Sequence, residues 1–256
     1  MNPLQRALIE KIGHDNGFEH VLAHEAEAVA VASARHRTRA VVRMLTAGDF
    51  GILFQSTSRA LLPELQRSFE PAAAHLNGFV AATEAGLAML LRRASSLSQA
   101  LPSQAAQDYQ TAVAAALAQL PPGIGGTEVE RLVRQRVGQA KFRDAMLDYW
   151  GGACSVTGLA VPAVLRASHA KPWTHCTSDE ERLDVFNGFL LTANLDALFD
   201  RFLISFDDAG GLLISPDITF ADRKALCLDQ TVHLRWISPE HLMYLRYHRE
   251  QFAAEH

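Results

Sequence analysis

The stretch LRASHAKPWTHCTSDEERLDVFNGFLLTANLDALFD, residues 165–200, decides how the chain reads. The run Ala163–Ser168 predicts a strand that delivers His169 at its end, and Phe189–Leu191 predicts a second strand after the Asn187-Gly188 turn. A helix is predicted from Ala193 to about Arg201, with Thr192 placed to cap it. Four residues stand out together: His169, Asn187 at a loop exit, and Asp196 and Asp200 on the helix. The two aspartates are four apart, so their carboxylates share one helix face near its positive dipole end. Hard oxygen donors of this kind suit Mg²⁺ or Mn²⁺. A strand-borne imidazole beside such an ion is the apparatus for activating water against a phosphodiester.

Further blocks frame these four residues: Arg136-Val-Gly-Gln139-x-x-Phe142-Arg143 and Cys154-Ser-Val-Thr157-Gly158 before them, with Leu195-Asp196-Ala-Leu-Phe199-Asp200 closing the run. In this order the blocks resemble the HNH endonuclease domain of many bacterial restriction-type nucleases, a member of the ββα-metal superfamily, over residues 128 to the C-terminus. The resemblance implies that His169 is the general base and that Asn187 ties its loop to the metal-binding element. It places Asp196 where the family's final histidine usually stands, with Asp200 one turn later and Asn194 as an alternative ligand. Ser168 occupies the position where many relatives carry an acidic ligand. Lys171 and Arg166, beside the base, and Arg143, on the preceding helix, are the expected contacts to DNA phosphates in this half.

Some domains of this family hold a structural zinc between Cys-x-x-Cys pairs. Here Cys154, Cys176 and Cys227 form no such pair, so no structural zinc is expected.

Working outward, the sharpest boundary is Pro121-Pro122-Gly123-Ile124-Gly125-Gly126, which cannot continue a helix and reads as a linker. It separates an N-terminal domain, residues 1–120, from the nuclease-like domain, residues 127–256. In the first, Leu4, Leu8, Ile9 and Ile12 recur at helical spacing. Glu25–Ala34 alternates, and Ala40–Leu45 and Phe50–Gln55 flank a hairpin turn at Ala47-Gly48-Asp49. Leu61–Phe69, Phe79–Ala94 and Ala105–Leu120 read as helices. The expectation is a small α+β domain with a three-stranded sheet, serving DNA recognition or assembly. Its strongest basic feature is Arg35, Arg37 and Arg39, extended by Arg43, a candidate phosphate-contacting turn. Towards the C-terminus, Leu203–Phe206 and Leu212–Ser215 flank a hairpin signal, a strand is expected near Val232–Trp236, and a helix from Pro239.

The whole chain has 256 residues and a formal net charge of −4, so no bulk basic field advertises nucleic acid. No apolar run approaches the roughly 18 residues of a membrane span. With an odd, small number of cysteines and no apolar leader, the expected compartment is the cytoplasm. The expected fold is therefore α+β with a C-terminal ββα-metal domain. The expected activity is a Mg²⁺- or Mn²⁺-dependent DNA endonuclease of restriction or phage-defence type, partnered by DNA and open to a homodimer. A catalytically weak DNA-binding module and a nuclease toxin are the alternatives. Activity is expected to fall in acid near an ordinary histidine value of about 6.5.

Overall fold

In a computed structural model of the chain, residues 1–255 are described apart from 25–26, 46–47, 70–73, 76–77, 122–124 and 229–231. Parts of the Glu25–Ala34 run, the Ala47 turn and the Pro122–Ile124 linker thus lie outside the described residues. The chain forms two compact units, Met1–Gln104 and Ala105–His256.

The first unit opens with α1 (Pro3–Asp15), started by a capping box in which Asn2 accepts from the Gln5 amide and Gln5 reaches back to the Asn2 amide. Strands β1 (His20–His24), β2 (Ala28–Ala32), β3 (Arg39–Met44) and β4 (Phe50–Gln55) follow, then α2 (Leu61–Ser68), β5 (Ala74–His75), β6 (Gly78–Ala81) and α3 (Glu84–Ala100). The strands pair in the order β1-β2-β3-β4-β6-β5, antiparallel throughout. This is a six-stranded sheet rather than the expected three. Alternation sends Val29, Val31, Ala40, Val42, Ile52 and Phe54 to one buried face. On that face α1 packs against β2, and α3 packs against β6, α1 and α2. The predicted helix over Phe79–Ala94 is in fact β6 followed by α3. Thr83 separates them, its hydroxyl accepting from the Gly86 amide as an N-cap.

The second unit takes in α4 (Pro102–Ala118) from Ala105 onward and α5 (Thr127–Trp150). Tyr109 of α4 is buried and donates its hydroxyl to the Arg134 carbonyl of α5, so α4 packs with the second unit. Gly151 ends α5 in the left-handed region at φ 65°, with the Gly152 amide returning to the Leu147 carbonyl. Next come β7 (Leu165–His169), α6 (Asp179–Leu183), β8 (Gly188–Thr192) and α7 (Ala193–Phe199). The hairpin β9 (Ile204–Phe206) with β10 (Leu212–Ile214), then α8 (Phe220–Ala225) and α9 (Leu242–Glu255), complete the unit.

The core of the second unit is aromatic. Trp150, Tyr149, Phe142, Phe189, Phe199 and Phe206 are fully buried, each contributing on the order of 1.5–3 kcal/mol. Trp150 stacks on Trp236 at 4.2 Å. Two local expectations fail here. The Val232–Trp236 strand is reduced to a single bridge, Gly211 with His233, because Arg235 ties this segment to the Trp150–Cys154 carbonyls instead. Thr192 holds the N-cap position of α7, yet its hydroxyl donates to Asn194 Oδ1 rather than accepting from the helix. Among the described residues no helix is long and apolar enough to cross a membrane.

Candidate active site

β7 and β8 pair antiparallel from Leu165–Thr192 to His169–Gly188, and α7 follows β8 directly and packs on both strands. Two glycines let neighbouring elements close on the end of β7. Gly188 has extended backbone that any residue could adopt, but a Cβ there would sit 2.3 Å from the Ser168 carbonyl oxygen and 2.8 Å from Phe142 Cζ. At Gly138 of α5 a Cβ would meet the Trp173 ring at 2.1 Å. Absent side chains, at both positions, are what bring α5 onto His169.

The His169 ring stacks face to face on Phe142, centroids 3.7 Å apart, with Trp173 edge-on at 5.9 Å. Its Nε2–H donates to the Arg182 carbonyl over 2.8 Å. A carbonyl can only accept, so Nε2 carries the hydrogen and Nδ1 keeps the basic lone pair. Among the described residues Nδ1 has no hydrogen-bond partner. Burial pushes the imidazole pKa down to about 4, with the bond to Arg182 working against it. The ring is therefore neutral near pH 7, and the expected titration near 6.5 is displaced by burial between two aromatic rings.

Asn187 is fully buried and acts as a staple. Its Oδ1 accepts from the Lys171 amide over 2.8 Å, while Nδ2 donates to the Lys171 and Glu181 carbonyls and to Cys176 Sγ. The Glu181 carbonyl neighbours the Arg182 carbonyl that orients His169, so Asn187 positions the base through the loop.

Asp196 Oδ1 accepts from the buried hydroxyl of Ser168 on β7. The Asp200 carboxyl is raised to about 6 by burial and then by the nearby Asp196 charge. His169, Asp196 and Asp200 line one cleft of about 500 Å³ together with Gln139, Arg143 and Arg166. Two further residues line the cleft. Phe202 sits in the left-handed region at φ 54° just after α7. His248 of α9 is buried, stacks on Phe199 at 3.7 Å and donates Nε2–H to the Phe199 carbonyl. No local pattern marks His248, because its partners lie more than 40 residues away in sequence.

The other expected residues are placed differently. Asn194 is not among the cleft residues, and its Oδ1 is occupied by Thr192. Lys171 pairs with Glu181 at 2.6 Å, both side chains under one-fifth exposed, so its charge is spent inside the loop. Arg143 donates to the Leu165 and Pro162 carbonyls. Arg166 donates from Nη1 to the Ala163 and Leu165 carbonyls while remaining exposed. Cys154 Sγ accepts from the Val156 and Thr157 amides, which makes it the turn-holding atom of the Cys154–Gly158 loop.

Among the described residues no group of three His, Cys, Asp or Glu side chains is placed to hold a metal ion. Asp196 and Asp200 nonetheless fit an ion of the Mg²⁺ class, which binds through one or two carboxylates and completes its shell with water and substrate phosphate. Their mutual repulsion, expressed in the raised Asp200 carboxyl, is what such a cation would relieve.

No curated protein matches the chain. The family model described as HNH endonuclease matches residues 154–207, which contain β7, β8, α7 and the cleft residues His169, Asp196 and Asp200. The C-terminal half of this chain carries an HNH domain.

Proposed function

We propose that the second unit is a divalent-metal-dependent endonuclease that hydrolyses DNA phosphodiester bonds, of the restriction or phage-defence type. The observation that carries this reading is a neutral histidine with one nitrogen fixed as donor and the other bare, in a cleft shared with two carboxylates. His169 Nδ1 takes a proton from the attacking water. Arg182 and Asn187 hold the ring at its angle, and Phe142 and Trp173 keep solvent from protonating it. Asp196, steadied by Ser168, and Asp200 would hold the ion. When bound, that ion supplies Lewis-acid polarisation of the phosphate and charge stabilisation at the leaving 3′-oxygen. Water oxygen bonds to phosphorus, the bond to the 3′-oxygen breaks, and the products carry 5′-phosphate and 3′-hydroxyl ends. Arg166 is the exposed cation of the cleft and the best-placed phosphate contact there.

The test is nicking of supercoiled plasmid with Mg²⁺ or Mn²⁺, comparing wild type with His169→Ala. Metal-dependent nicking that disappears in the variant, with DNA binding retained, is the expected result. Binding without nicking in the wild type would favour the reading as a DNA-binding module, which the Asp196 and Ser168 positions motivate.

A further inference from the structure

The sheet of the first unit has two faces of opposite character. Helices cover one, as described. On the other, register places Ala32 and Ala30 of β2 beside Arg39 and Val41 of β3, with the buried Ala28 beside Arg43, and the β3 residues beside Gln55, Leu53 and Gly51 of β4. Val80 of β6 lies opposite Gly51 and His20 of β1 opposite Ala32. A solvated face of an antiparallel sheet normally carries polar residues at its outward positions. Here Arg39, Arg43 and Gln55 share those positions with alanine, valine and leucine, Leu53 being 39% exposed. The cationic groups are arginines, and none of these positions is Asp or Glu.

The alternation runs back beyond β3. Thr38 and His36 are buried, while Arg37 and Arg35 are exposed. Arg35 is held by Glu19 at 3.1 Å. The guanidinium groups of Arg37, Arg39 and Arg43 have no hydrogen-bond or ion-pair partner among the described residues. Three exposed guanidinium groups thus stand beside a strip of small side chains. We infer that this face grips the phosphate backbone of DNA through Arg37, Arg39 and Arg43, as a surface separate from the nuclease cleft.

Charge decides the occupant. A second copy of the chain meeting this face about a two-fold axis would oppose the same arginines to themselves. A polyanion satisfies all three, and the alanines leave no bulk to hold its backbone away. The identity of the polyanion as DNA rests on the nuclease reading, whereas the surface itself does not.

The experiment titrates full-length protein against a labelled 30-base-pair duplex in EDTA over a range of salt concentrations. Variants are the triple Arg37→Ala, Arg39→Ala, Arg43→Ala, and the single changes Ala30→Glu and Ala30→Lys at the centre of the strip. Losing three phosphate contacts should flatten the slope of log affinity against log salt by about 2.7. Ala30→Glu should weaken binding and Ala30→Lys should tighten it, a gain that misfolding cannot imitate. Unchanged affinity and slope in all three variants, with nicking intact, would overturn the surface and leave the nuclease reading standing. Arginine-dependent binding by a wild type that does not nick would keep the surface and remove the nuclease reading. A sedimenting dimer that Ala30→Glu dissociates without changing DNA affinity would overturn the proposal in favour of a second copy.

Discussion

His169 donates Nε2–H to the Arg182 carbonyl over 2.8 Å, and this bond fixes which ring nitrogen can receive a proton. Replacing His169 with alanine should lower the nicking rate by about 10²–10⁴-fold, the usual contribution of a general base. The pH dependence follows from burial. Because the pKa is held down to about 4, the base stays neutral from pH 8 to pH 5, and its acid limb should lie well below 6.5. With metal saturating, so that Asp200 stays ionised, a rate profile with a midpoint near 6.5 would show that His169 is not the base.

Ser168 presents a buried hydroxyl to Asp196. Ser168→Ala removes that hydrogen bond and frees the carboxylate to rotate. Stability should change by only about 1 kcal/mol, while the Mn²⁺ concentration for half-maximal nicking should rise several-fold at little cost in maximal rate. Titration of rate with Mn²⁺ reads this directly.

Gly188 is needed for space. Its Cβ would lie 2.3 Å from the Ser168 carbonyl, which is backbone and cannot step aside. Gly188→Ala should part β7 from β8 at the base and cost about 3 kcal/mol or more, the scale of severe overpacking. Thermal melting should show the loss even without metal or DNA.

These contrasts explain what the sequence made legible. The β7–β8–α7 unit lies within 36 residues, its pairings are local, and β8 is buried along its length, so a continuous apolar run marked it. Phe142 stacking on His169 crosses 27 residues and left no local trace beyond the block that contains it. In the first unit, β1 is an edge strand with an irregular register between Val21 and Ala23, which spoils its alternation. β6 merged with α3 because Phe79-Val-Ala81 continues the apolar pattern of the helix, and the Thr83 cap was the signal that separates them. Charge was the least legible property. Lys171 and Arg43 look alike in sequence, yet one is neutralised by Glu181 and the other stands free among the described residues.

Three buried or half-buried groups and one exposed carboxyl set the acid stability of the second unit. His169 and His248 are both held down to about 4 by burial. Between pH 6.5 and 4 the unfolded chain therefore binds protons that the folded chain refuses, and stability falls as pH drops. Asp184, raised to about 6 by burial, acts in reverse, since the folded chain takes up its proton first. Asp200 acts in the same direction, more weakly because the residue is exposed. Asp184→Asn removes one compensating group. Relative to wild type it should lose at most about 1.4 kcal/mol per pH unit on going from pH 6 to 4.5. Denaturant midpoints in EDTA at both pH values test this, and a constant difference between the proteins would refute it.

Asn187 gives the last test, because its role is to position another residue. Nδ2 donates to the Glu181 carbonyl, one residue from the carbonyl that orients His169, and Oδ1 accepts from the Lys171 amide. Asn187→Ala should loosen this loop and let water reach the imidazole, so the acid limb of the rate profile should move up from about 4 towards 6.5. Asn187→Asp keeps the shape but turns a carboxylate oxygen towards two carbonyl oxygens in a buried site. It should therefore be the worse substitution for folding, by several kcal/mol, since a buried charge would lie among acceptors with no added donor. Melting curves rank the two variants, and the pH profile of Asn187→Ala separates positioning from mere loss of stability. An alanine variant with reduced rate and an unmoved acid limb would show that Asn187 holds the fold without tuning the base.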